Sequence, residues 1–127
     1  MHKSQLAGFI IDCQTDELEP AAKFWSQALG LPTEKPEDPD EHNYIYLQSG
    51  PNGLHIEVQR VDHPSRVHLD IETDDVEAEV LRLQALGARR VHQVRNWVVM
   101  EAPSGQRFCV VKPQRASFNE SANVWDE

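Results

Sequence analysis

The strongest constraint on the fold is an internal repeat, because a chain that repeats itself folds as copies of one unit. The sequence "SQALGL" at residues 26–31 returns as "LQALGA" at residues 83–88. A second pair follows in the same order, since "PNGLHIEV" at residues 51–58 returns as "PSGQRFCV" at residues 103–110. The separations are similar, so the sequence predicts two copies of one structural unit, joined near "RVDHPSR".

Copy one, in about residues 7–60, has the pattern of a strand, a helix and three further strands. The apolar run "AGFIIDC" is strand-like, and Asp16 with Glu19 has the spacing of a capping box that opens a helix. Gly30 is expected to end that helix. A weak strand at residues 31–34, followed by "NYIYLQ" and "LHIEVQ", completes the copy.

Copy two, in about residues 66–112, repeats this pattern. The strand "VHLDIET" precedes a second capping spacing, Asp74 with Glu77, and Gly87 is expected to close the helix. Three predicted strands follow, "RRVHQV", "WVVME" and "RFCVVK". Residues 113–127 are left as a C-terminal tail.

The fold class predicted from this order is α+β, with two βαβββ units in a single domain spanning residues 1–127. Each amphipathic helix covers one face of its own sheet. We expect the two sheets to join into a curved, half-closed mixed sheet whose free faces enclose a central cleft. A chain of this length buries enough surface to hold a core without disulfides.

The charge of the chain limits its partners. The net charge is -9, and acidic residues gather in "EKPEDPDEH" and "NESANVWDE". Nucleic acid should be repelled, which favours a small neutral or cationic ligand. No apolar run approaches the ~20 residues of a membrane span, and no secretory segment begins the chain. We therefore expect a cytoplasmic protein without a membrane partner, in which Cys13 and Cys109 are free thiols.

Alternation in "RVHLDIETDD" places three ionisable residues on one side of a strand and three aliphatic residues on the other. The ionisable residues are His68, Asp70 and Glu72, and the aliphatic ones are Val67, Leu69 and Ile71. Because the helix should cover the aliphatic side, the ionisable side is expected to face the cleft. The same argument applied to the other strands predicts a cleft lined by Asp12, His55, Glu57, Gln59, His68, Asp70, Glu72, Arg107 and Cys109.

The order of elements and its motifs resemble the vicinal oxygen chelate superfamily, which includes glyoxalases, bleomycin-resistance proteins and extradiol dioxygenases. The segments that carry the resemblance are "IDCQTDELEPAAKFWSQALG", "PNGLHIEV", "RVHLDIETDDVEAEVLRLQALGA" and "WVVMEAPSGQRFCVV". The match is closest to glyoxalase-like domains of unassigned function. This family hosts both metal enzymes and binding proteins on one scaffold, so the resemblance implies the fold more firmly than a reaction.

In metal-using relatives a divalent ion is held by the first and last strands of each unit. By this resemblance the ligand positions fall on His68 and Glu57, with Cys109 as a third and Gly8, which has no ligand group, as the fourth. His68 and Glu57 are then also the candidate catalytic residues. A set with a thiol and a glycine is incomplete, so no metal is favoured, and zinc, nickel or manganese is the alternative.

Less specific roles fit the same residues. His68 also fits a structural histidine bound to Glu57 or Asp70, and Cys109 a small buried residue. Asp70 and Glu72 would then lie at the wet mouth of the cleft or pair with Arg107.

Three functions remain open from the sequence. The first is a binding protein of the bleomycin-resistance kind, which holds a neutral or cationic ligand in an acidic cleft without a complete chelate. The second is a metal-dependent lyase or isomerase of the glyoxalase kind that uses Glu57 and His68. The third is a domain that mainly associates with another protein. The resemblance also implies a homodimer, and the tail is expected to dock across a partner through Phe118 or Trp125.

Overall fold

The elements follow the predicted order, and the α+β class with two βαβββ copies is confirmed. The computed structural model describes residues 1–126. Its strands are β1 (His2–Gln14), β2 (Thr33–Glu34), β3 (Tyr44–Leu47), β4 (His55–Val61), β5 (Arg66–Thr73), β6 (Arg89–Val94), β7 (Trp97–Glu101), β8 (Arg107–Val111) and β9 (Asn123–Trp125). Its helices are α1 (Leu18–Leu29), α2 (Val76–Ala85) and α3 (Phe118–Ser121), with a 3₁₀ turn at Pro39–Glu41.

Packing divides the chain into two compact units. We call residues 9–67 the α1 unit, and residues 1–8 with residues 68–126 the α2 unit, after the long helix that each contains. Both β1 and β5 contribute residues to each unit. The pairings include parallel and antiparallel strands, so the sheet is mixed.

The α1 unit is built on antiparallel strands β2, β3 and β4, followed by the C-terminal part of β1. Helix α1 packs against β3 and β4. Leu18 and Ala22 on the helix are buried with Ile45 and Val58 on the strands. Because side chains alternate along a strand, the residues beside Ile45 project to the side that α1 does not cover.

The capping box predicted at Asp16 is wrong. Helix α1 begins at Leu18, and Glu17 occupies the N-cap without a side-chain hydrogen bond. The cause is a local turn, in which the Glu17 N–H donates to Thr15 Oγ1 at 3.2 Å and places the start of the helix after this pair. The predicted end is confirmed, since Gly30 has φ 70° and its N–H bonds to the Ser26 carbonyl.

The α2 unit has antiparallel strands β6, β7 and β8, with β5 parallel to β8. Its helix packs on β6, β7 and β8 and buries Val80 and Leu83 among strand residues such as Met100. The capping residue of α2 is Asp75, whose Oδ1 accepts from the Ala78 N–H at 3.1 Å, and not the predicted Asp74. Asp74 is instead bound by the Lys3 N–H at 2.8 Å, a contact between distant parts of the sequence.

The burial predicted for β5 is reversed at four of its residues. Val67 and Leu69 are 59% and 51% exposed, whereas Asp70 is 8% exposed and Glu72 is fully buried. Helix α2 has ten residues and is only about 15 Å long. Of the aliphatic residues on β5, Ile71 packs against the core of the α2 unit, whereas Val67 and Leu69 stay exposed.

The C-terminal segment folds onto its own chain, contrary to the expectation that it docks across a partner. Phe118 is 4% exposed, and β9 pairs antiparallel with the first residues of β1. Trp125 Nε1 donates to Ser4 Oγ at 2.7 Å, and the Arg82 guanidinium lies 4.0 Å from the Trp125 ring centroid. The last residue of the predicted tail, Glu127, lies outside the described residues.

Within residues 1–126, no helix is both long enough and apolar enough to cross a bilayer.

Candidate functional site

His68, Asp70 and Cys109 form a cluster on one face of the sheet in the α2 unit. Parallel pairing of β5 with β8 places Asp70 directly beside Cys109, and His68 lies on the same face two residues earlier. One ligating atom from each residue lies within 4.8 Å of the other two. The distance from His68 Nε2 to Asp70 Oδ1 is 3.5 Å. The structure thus brings together three of the residues predicted to line the cleft.

Asp70 is the unusual member of this cluster. Its Oδ1 is buried and has no hydrogen-bond partner among the described residues. The 3.5 Å approach of His68 is longer than an ordinary hydrogen bond. Leaving a buried carboxylate oxygen without a donor costs about 1–3 kcal/mol or more. This oxygen can therefore accept a hydrogen bond or a cation from a bound molecule.

A second polar face lies in the α1 unit, on the side of β3 and β4 that α1 leaves uncovered. His55 Nε2 lies 2.6 Å from Glu57 Oε1, so Glu57 has a partner on its own strand. Tyr46 is in register with Glu57, and its ring centroid lies 5.6 Å from that of His55. Imidazole, carboxylate and phenol groups are therefore side by side on this face.

Tyr46 is held in its neutral form by its surroundings. Burial raises the pKa of its phenol first, and the negative charges of Glu57 and Glu41 raise it further. Its hydroxyl donates a hydrogen bond to Glu41 Oε2 at 3.2 Å. A phenol of this kind can donate hydrogen bonds throughout the physiological pH range but does not act as a base there.

Two other predicted cleft residues have partners within the α1 unit. Gln59 Nε2 donates to the Tyr44 hydroxyl at 3.2 Å. Asp12 is buried, and its Oδ2 lies 3.7 Å from Arg66 Nε, which is half exposed. These contacts position the side chains on their strands.

Glu72 and Arg107 have different partners from those predicted. Glu72 Oε1 accepts from the backbone N–H groups of Gln114 and Arg115 at 2.6 and 2.9 Å, and Oε2 accepts from Gln5 Nε2 at 2.7 Å. The hypothesis of a wet location for Glu72 is therefore wrong, because the C-terminal segment covers it. Arg107 Nε donates to Glu101 Oε1 at 3.2 Å.

Glu101 was not among the predicted site residues, and neither was its ion cluster with Arg89 and Arg107. Hydrogen bonds from Arg89 first and then Arg107 lower the pKa of Glu101. It is in register with Arg107 across the hairpin of β7 and β8, so a cross-strand charge pairing could have revealed the contact. The link from Arg66 to Asp12 had no comparable signal, because it joins strands 54 positions apart.

The donors at the cluster fit a divalent metal ion. An imidazole nitrogen, a carboxylate oxygen and a thiolate sulfur are all zinc ligands, and three protein ligands leave a position for a substrate or water. The unpartnered oxygen of Asp70 is consistent with this use. Manganese fits less well, because a sulfur donor favours softer ions. The set expected from the sequence contained Glu57 in place of Asp70, and Glu57 is held by His55.

The fold has two βαβββ copies, each with polar side chains on one face of its strands, which is the architecture of a class of small α+β proteins. The chain belongs to the glyoxalase-like domain family, which it matches over residues 8–111. This confirms the resemblance to the vicinal oxygen chelate superfamily. Among curated protein sequences, none matches the chain.

Solved structures share the fold at low sequence identity. Methylmalonyl-CoA epimerase from Mycobacterium tuberculosis has a TM-score of 0.64 and 16% identity, over 86% of this chain and 87% of that one. A hypothetical protein from Bacillus halodurans has a TM-score of 0.61 and 14% identity, over 89% and 97%. A variant of Streptomyces coelicolor methylmalonyl-CoA epimerase in complex with 2-nitronate-propionyl-CoA has a TM-score of 0.58 and 14% identity, over 87% and 98%.

Proposed function

We propose that this glyoxalase-like protein binds a small neutral or cationic molecule through the cluster of His68, Asp70 and Cys109, without a complete metal chelate. The observation that carries the proposal is the buried Oδ1 of Asp70, which has no hydrogen-bond partner among the described residues. A ligand with an ammonium, amidinium or amide N–H group would supply the missing donor.

The charge of the chain supports the same class of ligand. The net charge is -9, so the long-range field repels anions and attracts cations. An acyl-CoA such as the one named in the epimerase complex carries several phosphate charges, and this field disfavours it. We therefore propose a ligand different in charge from that of the epimerases whose fold the chain shares.

Calorimetry and thermal shift in metal-free buffer test the proposal. We expect benzylamine or a related aromatic amine to raise the melting temperature of the wild type, and methylmalonyl-CoA to leave it unchanged. Asp70→Asn should weaken the response, because it deletes the negative charge at the cluster. Asp62→Asn is the matched control, since the Asp62 side chain is 95% exposed. An equal response in Asp70→Asn and wild type would reject Asp70 as the anchor.

A second candidate is a metal-dependent lyase or isomerase of the glyoxalase kind, as the sequence suggested for Glu57 and His68. The observation that favours it is the 4.8 Å grouping of ligand atoms from His68, Asp70 and Cys109. A bound divalent ion polarises substrate oxygens as a Lewis acid. In this version Asp70 and Cys109 would hold the ion with His68.

Elemental analysis separates the two candidates. Purified protein would be dialysed against zinc, nickel or manganese and then against metal-free buffer. The metal reading requires near-stoichiometric zinc in the wild type, lost in His68→Ala and Cys109→Ser but retained in His92→Ala, which alters an exposed histidine. If the wild type stays metal-free under all three conditions, the metal-dependent enzyme is rejected and the metal-free binding protein is the function that stands.

We also propose a homodimer, which the family resemblance implies. The exposed side chains of Val67 and Leu69 offer apolar surface for such a contact. Light scattering coupled to size-exclusion chromatography measures the mass directly, and a mass of 14.5 kDa would reject the dimer.

A further inference from the structure

A cavity of about 550 Å³ lies within the α1 unit, and neither His55 nor Glu57 lines it. It is bounded by the first turn of α1, by residues 35–43 and by the adjoining ends of β3 and β4. This volume is in the range of pockets that hold small organic ligands. Residues 35–43 therefore form one wall of a pocket that is partly open to solvent.

The cavity has an apolar floor. Leu18 and Ile45, both buried, form its base, and Pro36, Pro39 and the ring of Tyr44 add further apolar surface. Such a surface gains by burying the hydrocarbon or aromatic part of a ligand.

The rim of the cavity is acidic. Four carboxylates line it, against one lysine and one arginine; they are Asp16, Glu19, Asp38 and Glu41. The Lys35 ammonium is 2.6 Å from Glu19, so these two charges offset one another. Arg60 is directed to Asp62, which lies outside the cavity, at 4.0 Å. The remaining charge is negative.

We propose that this cavity is a second binding site, which takes a small amphiphilic cation such as an arylalkylammonium. The apolar floor receives the hydrocarbon part, and the ammonium group lies among the rim carboxylates. An anion is disfavoured by the rim, and a neutral molecule gains only from the floor. This site is separate from Asp70, so it does not depend on the function proposed above.

Glu41 is the carboxylate through which this site can be tested most cleanly. It lines the cavity and is only partly exposed, and it accepts the hydrogen bond of the Tyr46 hydroxyl at 3.2 Å. Glutamine at this position keeps an oxygen acceptor for Tyr46 and removes the charge. Asp40 provides a matched control, because it lies in the same 3₁₀ turn, is exposed and does not line the cavity.

The experiment is a titration of the full chain with benzyltrimethylammonium, followed by amide chemical shifts. Benzyl alcohol and benzoate serve as the neutral and anionic probes. We expect shifts centred on residues 16–19 and 35–45, about fivefold weaker binding in Glu41→Gln, and unchanged binding in Asp40→Asn and Asp70→Asn. Benzoate should not bind.

Three results would overturn the proposal. The first is no shift at these residues at the highest probe concentration. The second is equal affinity for benzyl alcohol and benzyltrimethylammonium, since the carboxylates would then contribute nothing. The third is loss of the cation response in Asp70→Asn with retention in Glu41→Gln, which would assign all cation binding to the cluster at Asp70.

Discussion

His2 and Glu79 form a fully buried pair in the α2 unit, with His2 Nε2 2.8 Å from Glu79 Oε1. Burial on its own would raise the pKa of Glu79, but hydrogen bonds from Arg82 first and then His2 outweigh it and lower the pKa. Arg82 contacts both oxygens of Glu79 at 2.8 Å and also stacks on Trp125. The Glu79 carboxylate on α2 therefore contacts β1 through His2, and it is linked to β9 through Arg82.

Glu79→Gln should destabilise the protein by about 2–3 kcal/mol, because it leaves buried donors without their anionic partner. Urea denaturation measures the change in free energy of unfolding. Glu77→Gln is the control, since Glu77 is exposed and binds Arg90 at the surface; we expect less than about 1 kcal/mol there. Similar losses in both variants would contradict a special role for Glu79.

The stability of the protein should also depend on pH through the ionisation of Glu79. Because the pKa of Glu79 is lower in the folded chain than its ordinary 4.5, the pair stabilises the protein above that pH. The stabilisation is lost as the pH falls below 4.5 and through the folded pKa. The gap between wild type and Glu79→Gln should narrow over this acid range. A gap that is constant with pH would show that the charge of Glu79 is not what stabilises the fold.

Glu72→Ala should loosen the C-terminal segment, because Glu72 accepts hydrogen bonds from the Gln114 and Arg115 backbones. Hydrogen exchange at residues 114–125 should rise by roughly tenfold or more, while exchange in β7 changes little. Glu120→Ala, on the exposed side of α3, is the control. Uniformly faster exchange in both regions would indicate global destabilisation in place of local release.

Asp70→Asn should stabilise the ligand-free protein, although it weakens ligand binding. The substitution replaces a buried anionic oxygen that has no hydrogen-bond partner by a neutral group of the same size. We expect a gain of about 1 kcal/mol, or about 4 °C in melting temperature. A loss of stability would show that the charge of Asp70 is satisfied within the folded chain.

Gly30→Ala should cost about 1 kcal/mol, and Gly30→Asn less, because asparagine adopts the left-handed conformation more readily. Gly30 has φ 70°, and a Cβ at this position would meet no atom within 4 Å. The loss therefore comes from the backbone alone. Equal costs for the two variants, measured by thermal unfolding, would contradict this explanation.

Local sequence patterns located most of the elements but misplaced each of the two helix starts by one residue. The strand β7 lies where "WVVME" predicted it, and Gly30 ends α1 as expected. The two N-caps were displaced, because Thr15 forms its own turn and Asp74 is taken by the Lys3 N–H. The second of these contacts joins residues 71 positions apart, which a local pattern cannot reveal.

The candidate site was predicted in part. His68, Asp70 and Cys109 were each placed on the cleft side from alternation alone, and parallel pairing of β5 with β8 brings them together. The division of roles among the acidic residues was not predicted. Glu57 is bound to His55 on the same strand, and Glu72 holds the C-terminal segment.

The sequence by itself determined the two βαβββ copies and the family, because hydrophobic period and turn residues act over a few neighbouring positions. Only the tertiary structure decided which charged side chains are buried. The strand pattern of β5 predicted Val67 and Leu69 as core residues and Glu72 as a cleft residue at a wet mouth or paired with Arg107, whereas Val67 and Leu69 are exposed and Glu72 is fully buried. Burial depends on what covers a strand, and the cover of Glu72 comes from residues 114 and 115, more than 40 positions away.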